Sequence, residues 1–364
     1  MSRLDAGPIL FEELQAFVGK SSGAPSIARD AVNIPMIRHL ADALGDRNPV
    51  YVDEEFAGRS VHGGIVAPAT SLQVWTMRGL APPAEACVDD GASVADDGKT
   101  VSLLDPMRVL DEAGFSSVVA TNCEQDYPRY LRPGDLVSVS SVIESISDRK
   151  RTALGEGHFV TTLQTYRDQR GEVVGEMRFR ILKFVPVTRG DTHAASAPSR
   201  PPLPVPLGPT QATPSSGIER RRNTLSFDDV AVGAPIGELV IPLTPLLIVS
   251  TAIATRDYQD VHHDRDLAQQ KGSKDIFMNI LSTNGFVGRY VTDWAGPEAV
   301  LERVAIRLGA PNYPYDTMRL KGTVTSVLRG SGDRGTVELD VLGANSLGDH
   351  VVGHVRLTLP AGRA

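Results

Sequence analysis
The chain has 364 residues, with 37 Lys and Arg against 44 Asp and Glu for a formal net charge of −7, and its 41% hydrophobic content is enough for one or two packed cores. The acidic balance argues against non-specific binding of nucleic acid or anionic lipid, no apolar run approaches the ~18 residues that span a bilayer, and the N-terminus meets Glu12 and Glu13 too soon for a secretory signal. Two cysteines, Cys87 and Cys123, and no Cys-x-x-Cys leave no ligand set for a zinc ribbon or iron–sulfur cluster and no disulfide framework, so the expectation is a soluble, cytoplasmic, metal-free protein.

In chain order, the first half opens on a short helix, a motif loop and a longer helix, followed by strand-like runs at 117–122, 136–146, 158–166 and 173–184. Pro, Ser and Ala then dominate 186–222 without apolar periodicity. Such a composition buries too little surface to offset its ordering entropy. It is expected to be an extended linker between a half at 1–185 and a half at 223–364. In the second half Ile276, Ile280, Thr283, Val287, Tyr290 and Trp294 recur at spacings of four and three, which predicts a helix over 276–294. Gly285 and Gly288 keep part of that helix thin, as for close packing. Strands are expected at 303–308, 318–327, 336–342 and 351–359. One long helix and an antiparallel meander in each half predict an α+β fold.

The halves superpose at a constant offset of 211: Ile37 on Ile248, Ala41 on Ala252, Asp46 on Asp257, Val50 on Val261, Asp53 on Asp264, Ala57 on Ala268 and Ile65 on Ile276. An ungapped match through one region, with a linker between, indicates duplication. The mismatches carry information. Tyr51 faces His262, and Pro68 faces Asn279.

The second half contains Asp257-x4-His262-x5-Ala268, and the first contains Gly45-Asp-Arg-Asn-Pro-Val-Tyr51-x5-Ala57. These resemble the signature of the MaoC-like, hydratase-2 family of enoyl-CoA hydratases, Gly-Asp-x-Asn-Pro-x-His-x5-Ala/Ser. The first half keeps Asn48-Pro49 and lacks the His; the second keeps Asp and His and has Gln259-Asp260 at the turn. The runs 254–264, 272–279 and 290–297 are similar to the catalytic small subunit of the actinobacterial steroid side-chain hydratase. The first half is similar to the MaoC-like domain of its larger subunit, so the chain reads as both hot dogs fused. The resemblance implies a double hot-dog fold, each half a long helix wrapped by an antiparallel sheet, with one half catalytic.

It also implies the chemistry. Hydration of an α,β-unsaturated thioester needs a base for water, an acid for Cα and a donor for the thioester oxygen. By resemblance His262 is the base, with an ordinary pKa of ~6.5 suited to neutral pH. Asp257 shares the water and returns a proton. The backbone N–H of Asn279, or of Ile280 one register on, is the oxyanion donor at the helix N-terminus. Tyr51, with a reference pKa of ~10, cannot serve as a base near pH 7, and Pro68 has no N–H. The first half is therefore expected to be non-catalytic and to wall the acyl chain, with Gly63, Gly64, Ala67 and Ala69 leaving room for a bulky group. The implied substrate is a steroid side-chain trans-2-enoyl-CoA, hydrated to a 3-hydroxyacyl-CoA of R configuration in sterol or bile-acid catabolism. No cofactor is implied beyond the coenzyme A of the substrate, and the partners it leaves open are a second copy in a homodimer and a thiolase-type pathway protein. The alternatives are a hot-dog acyl-CoA thioesterase and a non-catalytic acyl-CoA-binding scaffold of a thiolase complex.

Other polar residues read as structural. His263 is expected to face away from His262. Asp260 and Asp264 lie too close along the chain for a metal site. His62 is read as a loop residue, His158, His350 and His354 as strand residues, Arg220–Arg222 as a solvated linker end, and Asp89, Asp90, Asp96 and Asp97 as a loop without function.

Overall fold
The computed structural model describes residues 7–21, 23–80, 104–186, 218, 220–330 and 332–362. The acidic loop, Cys87 and most of the expected linker lie outside the described residues. The chain begins with helix α1 (Gly7–Gln15) and strand β1 (Ser26–Ile27), followed by α2 (Ile34–Leu44), α3 (Pro49–Val52) and α4 (Glu54–Arg59). A 3-10 helix at Ala69–Thr76 and α5 (Leu104–Glu112) precede β2 (Ser117–Asp126), β3 (Ser138–Ile146), β4 (Lys150–Arg151), β5 (Gly155–Arg167) and β6 (Val173–Pro186). The second half runs β7 (Pro235–Leu243), α6 (Pro245–Ala254), a 3-10 turn at Asp260–His262, α7 (Arg265–Gln270) and α8 (Ile280–Ala295). It closes with β8 (Val300–Leu308), β9 (Asp316–Arg329), β10 (Arg334–Asn345) and β11 (Gly348–Pro360).

The repeat is built into the caps. Asn33 accepts from the Met36 amide at 3.0 Å to start α2, and Thr244 accepts from Leu247 at 3.0 Å to start α6, each beside a proline in the first turn, where a missing N–H costs nothing. Asp53 and Asp264 cap α4 and α7 in the same way, so Asp264 is a helix cap. The offset of 211 holds from α2 and α6 to the 3-10 helix and α8, which start at 69 and 280, then falls to 183 at β2 and β8, which start at 117 and 300. The first half thus carries an insertion that includes α5.

The strands form one antiparallel sheet in the order β1-β3-β5-β6-β2-β8-β11-β10-β9-β7. Along this path each half contributes five described strands in equivalent order, with β4 paired to β5 beside it, and β2 meets β8 over Asn122↔Arg307 to Asp126↔Arg303. Arg303 crosses this seam to Glu124 at 2.6 Å and Asp126 at 2.5 Å. The sheet wraps α8, whose sixteen residues are almost all buried. This is the double hot-dog architecture, with one difference. In the first half the counterpart of α8 is the eight-residue 3-10 helix, after which Gly79 turns the chain at φ 80°. A main core spans both halves, and a smaller one under α1 and α5 contains Leu14, Leu110, Phe115 and Ile143.

The glycines of α8 do what their spacing suggests. A Cβ on Gly285 would lie 2.7 Å from Leu44, and one on Gly288 would lie 2.9 Å from Thr70. Gly63 and Gly64 have another reason to be glycine: their φ angles are 64° and 154°, values that side chains disfavour. Arg220 is also different from expectation. It reaches Asp293 at 2.9 Å and the Arg47 carbonyl, since Ile218 anchors this strand of chain against Gly237. Only Arg221 and Arg222 are exposed.

Candidate active site
Three elements of the second half converge. Asp257 follows α6, where Arg256 takes the left-handed φ of 57° that Gly45 takes, at 63°, after α2. This turn swings the Asp257 carboxyl back under the helix end. His262 ends the 3-10 turn, and Asn279 is the N-cap of α8. All three side chains are buried.

The His262 ring is oriented by its Nδ1, which donates to the Phe277 carbonyl at 2.7 Å. The Phe277 ring meets it edge-on at 5.1 Å between centroids. This bond leaves the lone pair of the neutral imidazole on Nε2, and Nε2 points at Asp257 Oδ2, 3.4 Å away. Burial holds the His262 pKa below its ordinary 6.5, opposed by the Asp257 charge and by the Phe277 carbonyl. The imidazole is therefore a free base at neutral pH.

Asn279 does more through its side chain than its backbone role requires. Its Nδ2 donates to Asp257 Oδ2 at 3.0 Å and to the Thr255 hydroxyl at 2.9 Å. Its Oδ1 accepts from the Ser282 amide at 2.8 Å and from the Ser282 hydroxyl. One residue thus caps α8 and fixes the Asp257 carboxylate. Beyond it, the Ile280 and Leu281 amides have no acceptor within the helix. His350 braces the next turn: Nδ1 donates to Ala310 O at 2.7 Å, and the hydroxyl of Thr283 meets Nε2 at 2.9 Å. Burial pushes that imidazole down to about 4.

The neighbouring polar residues are accounted for. His263 is exposed while His262 is buried, as consecutive positions of a tight turn require. Asp260 pairs with Lys271 at 2.7 Å. Thr255, Phe277, Ser282 and His350 were not read as parts of the site. Phe277 contributes a carbonyl, which any residue type could supply. The Asn279-x-x-Ser282 spacing of a capped helix start was the available signal for Ser282.

The matching place in the first half has the same backbone and different chemistry. Tyr51 is buried there, and burial raises its hydroxyl pKa well above 10. Pro68 sits at the N-cap without a side-chain cap bond. Asp46 is buried and pushed up to about 6, first by burial and then by Asp293. His62 is buried rather than loose, stacked on Tyr130 at 4.8 Å, and pushed down to about 4 by burial with Arg132 and Arg334 nearby.

Comparison with known proteins places these features. The model of the FAS1-like dehydratase domain region matches residues 16–177. The probable enoyl-CoA hydratase alpha subunit of Thermomonospora curvata is 46% identical over 190 residues, which are 52% of this chain and 56% of that protein. The 3-oxo-4,17-pregnadiene-20-carboxyl-CoA hydratase beta subunit of Mycobacterium tuberculosis is 53% identical over 128 residues, 35% of this chain and 95% of that protein. The chain spans about half the length of the alpha-subunit relatives it matches. A solved MaoC-like dehydratase superposes with a TM-score of 0.67 at 22% identity, over 96% of this chain and 100% of that one; at that identity it shows the fold alone. No helix among the described residues is long and apolar enough to cross a membrane.

Proposed function
Because this chain belongs to the MaoC-like hot-dog dehydratase and hydratase family, we propose that it adds water reversibly across a trans-2-enoyl-CoA to give a 3-hydroxyacyl-CoA. The observation that carries this is the pair of facing acceptors. His262 Nε2 and Asp257 Oδ2 stand 3.4 Å apart, and neither has a proton to give when the imidazole is neutral and the carboxylate ionised. A water that donates one hydrogen to each satisfies both and presents its oxygen to an incoming Cβ. His262 takes one proton as that oxygen attacks, while the other stays on the new hydroxyl; the proton on Nε2 then passes to Asp257 Oδ2, 3.4 Å away and held by Asn279, and from there to Cα, so that both groups end as they began. The enolate-like charge on the thioester oxygen is met by the amide of Asn279 or Ile280 at the positive end of α8. Protons move and electrons do not, so the reaction calls for no metal or redox cofactor.

The acyl group is bulky and steroid-like in this reading. Along one inner row of the sheet, Ile143, Thr162, Phe179 and Cys123 are register partners. Ile143 and Cys123 are fully buried, in the smaller core and the main core respectively, while Thr162 and Phe179 between them are half-buried. These two half-buried side chains lie in the half whose central helix is short, which supports an acyl-binding role for that row. The names of the relatives support a steroid CoA thioester and a heteromeric assembly. The fused chain then stands in for an alpha and a beta hot dog together.

The test is direct. Purified protein is mixed with a linear and a steroid side-chain enoyl-CoA, loss of the conjugated-thioester absorbance is followed, and products are weighed by mass spectrometry. Gain of one water is expected, with His262→Ala and Asp257→Asn each lowering the rate by about 10²–10⁴. Release of free CoA without hydration would make the protein a thioesterase and overturn the proposal.

A further inference from the structure
The two central helical segments each hold a buried amide with unpaired atoms. Both the oxygen and the nitrogen of Asn284 are buried without a hydrogen-bond partner, as is Oε1 of Gln73. Gln73 and Asn284 are separated by 211 residues, so they occupy the same position in the repeat. They also lie on facing stripes. Asn284 is one turn before Gly288 on α8, Gln73 is one 3-10 turn after Thr70, and Thr70 packs on Gly288.

The surroundings do not satisfy these groups. Asn284 faces the Cys123 thiol, which burial pushes up to about 11 against the pull of the Gln125 and Asn284 amides. Gln125 itself donates only to sulfur, to Cys123 at 3.3 Å and Met177 at 3.6 Å, although Tyr127 donates to its oxygen at 2.7 Å. Sulfur is a weak acceptor. An amide buried with neither atom paired keeps its full desolvation penalty, which an apolar side chain at position 284 would avoid. Cys123 is the register partner of the half-buried Phe179, so the amides lie beside the inner end of that row. Asn284 is five residues beyond Asn279, about 7.5 Å further along the helix axis.

We propose that Asn284, with Gln73 and Gln125, forms a polar subsite for a carbonyl or hydroxyl oxygen carried on the acyl group, remote from the thioester. It rests on the hydratase reading and narrows the substrate to oxygenated acyl groups. A ketone would accept from Asn284 Nδ2 and Gln125 Nε2; a hydroxyl would also donate to Gln73 Oε1.

The experiment compares matched pairs of steroid side-chain acyl-CoA thioesters, with and without a ring ketone. Affinity is measured by calorimetry on the saturated, unreactive thioesters, and kcat/KM on the enoyl forms. The wild type is expected to prefer the ketone by roughly tenfold to a hundredfold, the scale set by leaving a buried polar group unpaired. Asn284→Leu is expected to bring that ratio towards one, with thermal unfolding checking that the variant folds; Gln125→Leu is the second variant. Equal binding of both thioesters by the wild type would overturn the subsite and mean that buried water pairs the amides. A ketone preference in binding without hydration of either enoyl form would keep the subsite and sink the hydratase reading instead.

Discussion
Asp46 and Asp257 occupy one position in two halves and live under different electrostatics. Asp257 has Asn279 to donate to it; Asp46 has the Asn48 amide at 3.0 Å but also Asp293 near it, and burial with that repulsion pushes it up to about 6. A carboxyl whose pKa is higher folded than unfolded favours the fold below the unfolded value, near 4, and loses that contribution as pH rises through 6. Asp46→Asn is therefore expected to stabilise the protein above pH 6, by on the order of 1–3 kcal/mol, with the advantage fading by pH 4. Urea unfolding across pH 4–8 reads this, and a variant less stable at pH 8 than the wild type would contradict it. His262 gives the pH dependence of rate: because burial lowers its pKa, the acid limb of kcat/KM is expected below pH 6.5. The Asp257–His262 pair was legible because the family signature that the sequence resembles holds those side chains at that spacing. Thr255 and the Phe277 carbonyl were not, since they act by holding others in place.

Helix α8 and its shortened counterpart show what periodicity can reveal. The four-and-three spacing from Ile276 to Trp294 marked a helix that begins at Ile280; the residues before it are held extended by the approach to the Asn279 cap. Alternation located β2, β3, β5, β6 and β8–β11 to within a few residues, whereas β1 and β4 are two residues long and too short to alternate. The first half was expected to carry a longer helix after its motif loop. That helix is instead an eight-residue 3-10 segment, in which Ser71 Oγ donates to Pro68 O at 2.6 Å and Thr76 Oγ1 to Gln73 O at 3.3 Å. At the head of α8, cap and carboxylate anchor can be separated. Asn279→Ser retains a good N-cap with a side chain too short for Asp257, so kcat is expected to fall tenfold or more while Tm stays within a few degrees. Asn279→Ala loses the cap too, at about 1 kcal/mol. Equal activity in the Ser variant and the wild type would show that Asn279 does not position Asp257.

The two halves are joined by noncovalent contacts along a strand seam and between helices. The sheet is continuous across β2 and β8, Arg303 of β8 pairs with both Glu124 and Asp126 of β2 over the seam, and Arg289 of α8 donates to the Leu44 carbonyl at 2.7 Å. Residues 1–186 and 218–364, produced as separate polypeptides, are expected to co-purify and regain turnover in proportion to fragment concentration. Fragments that each fold but do not associate would show that the seam is too weak to act alone. In the intact chain that concentration dependence disappears, because a tether holds its ends at an effective concentration of order millimolar. The consequence concerns partner choice. A free second half could pair with its own kind along the same strand edge and make an assembly of two like halves. Joined in one polypeptide, the unlike halves outcompete such self-pairing at any cellular dilution, and their stoichiometry is set by translation rather than by affinity.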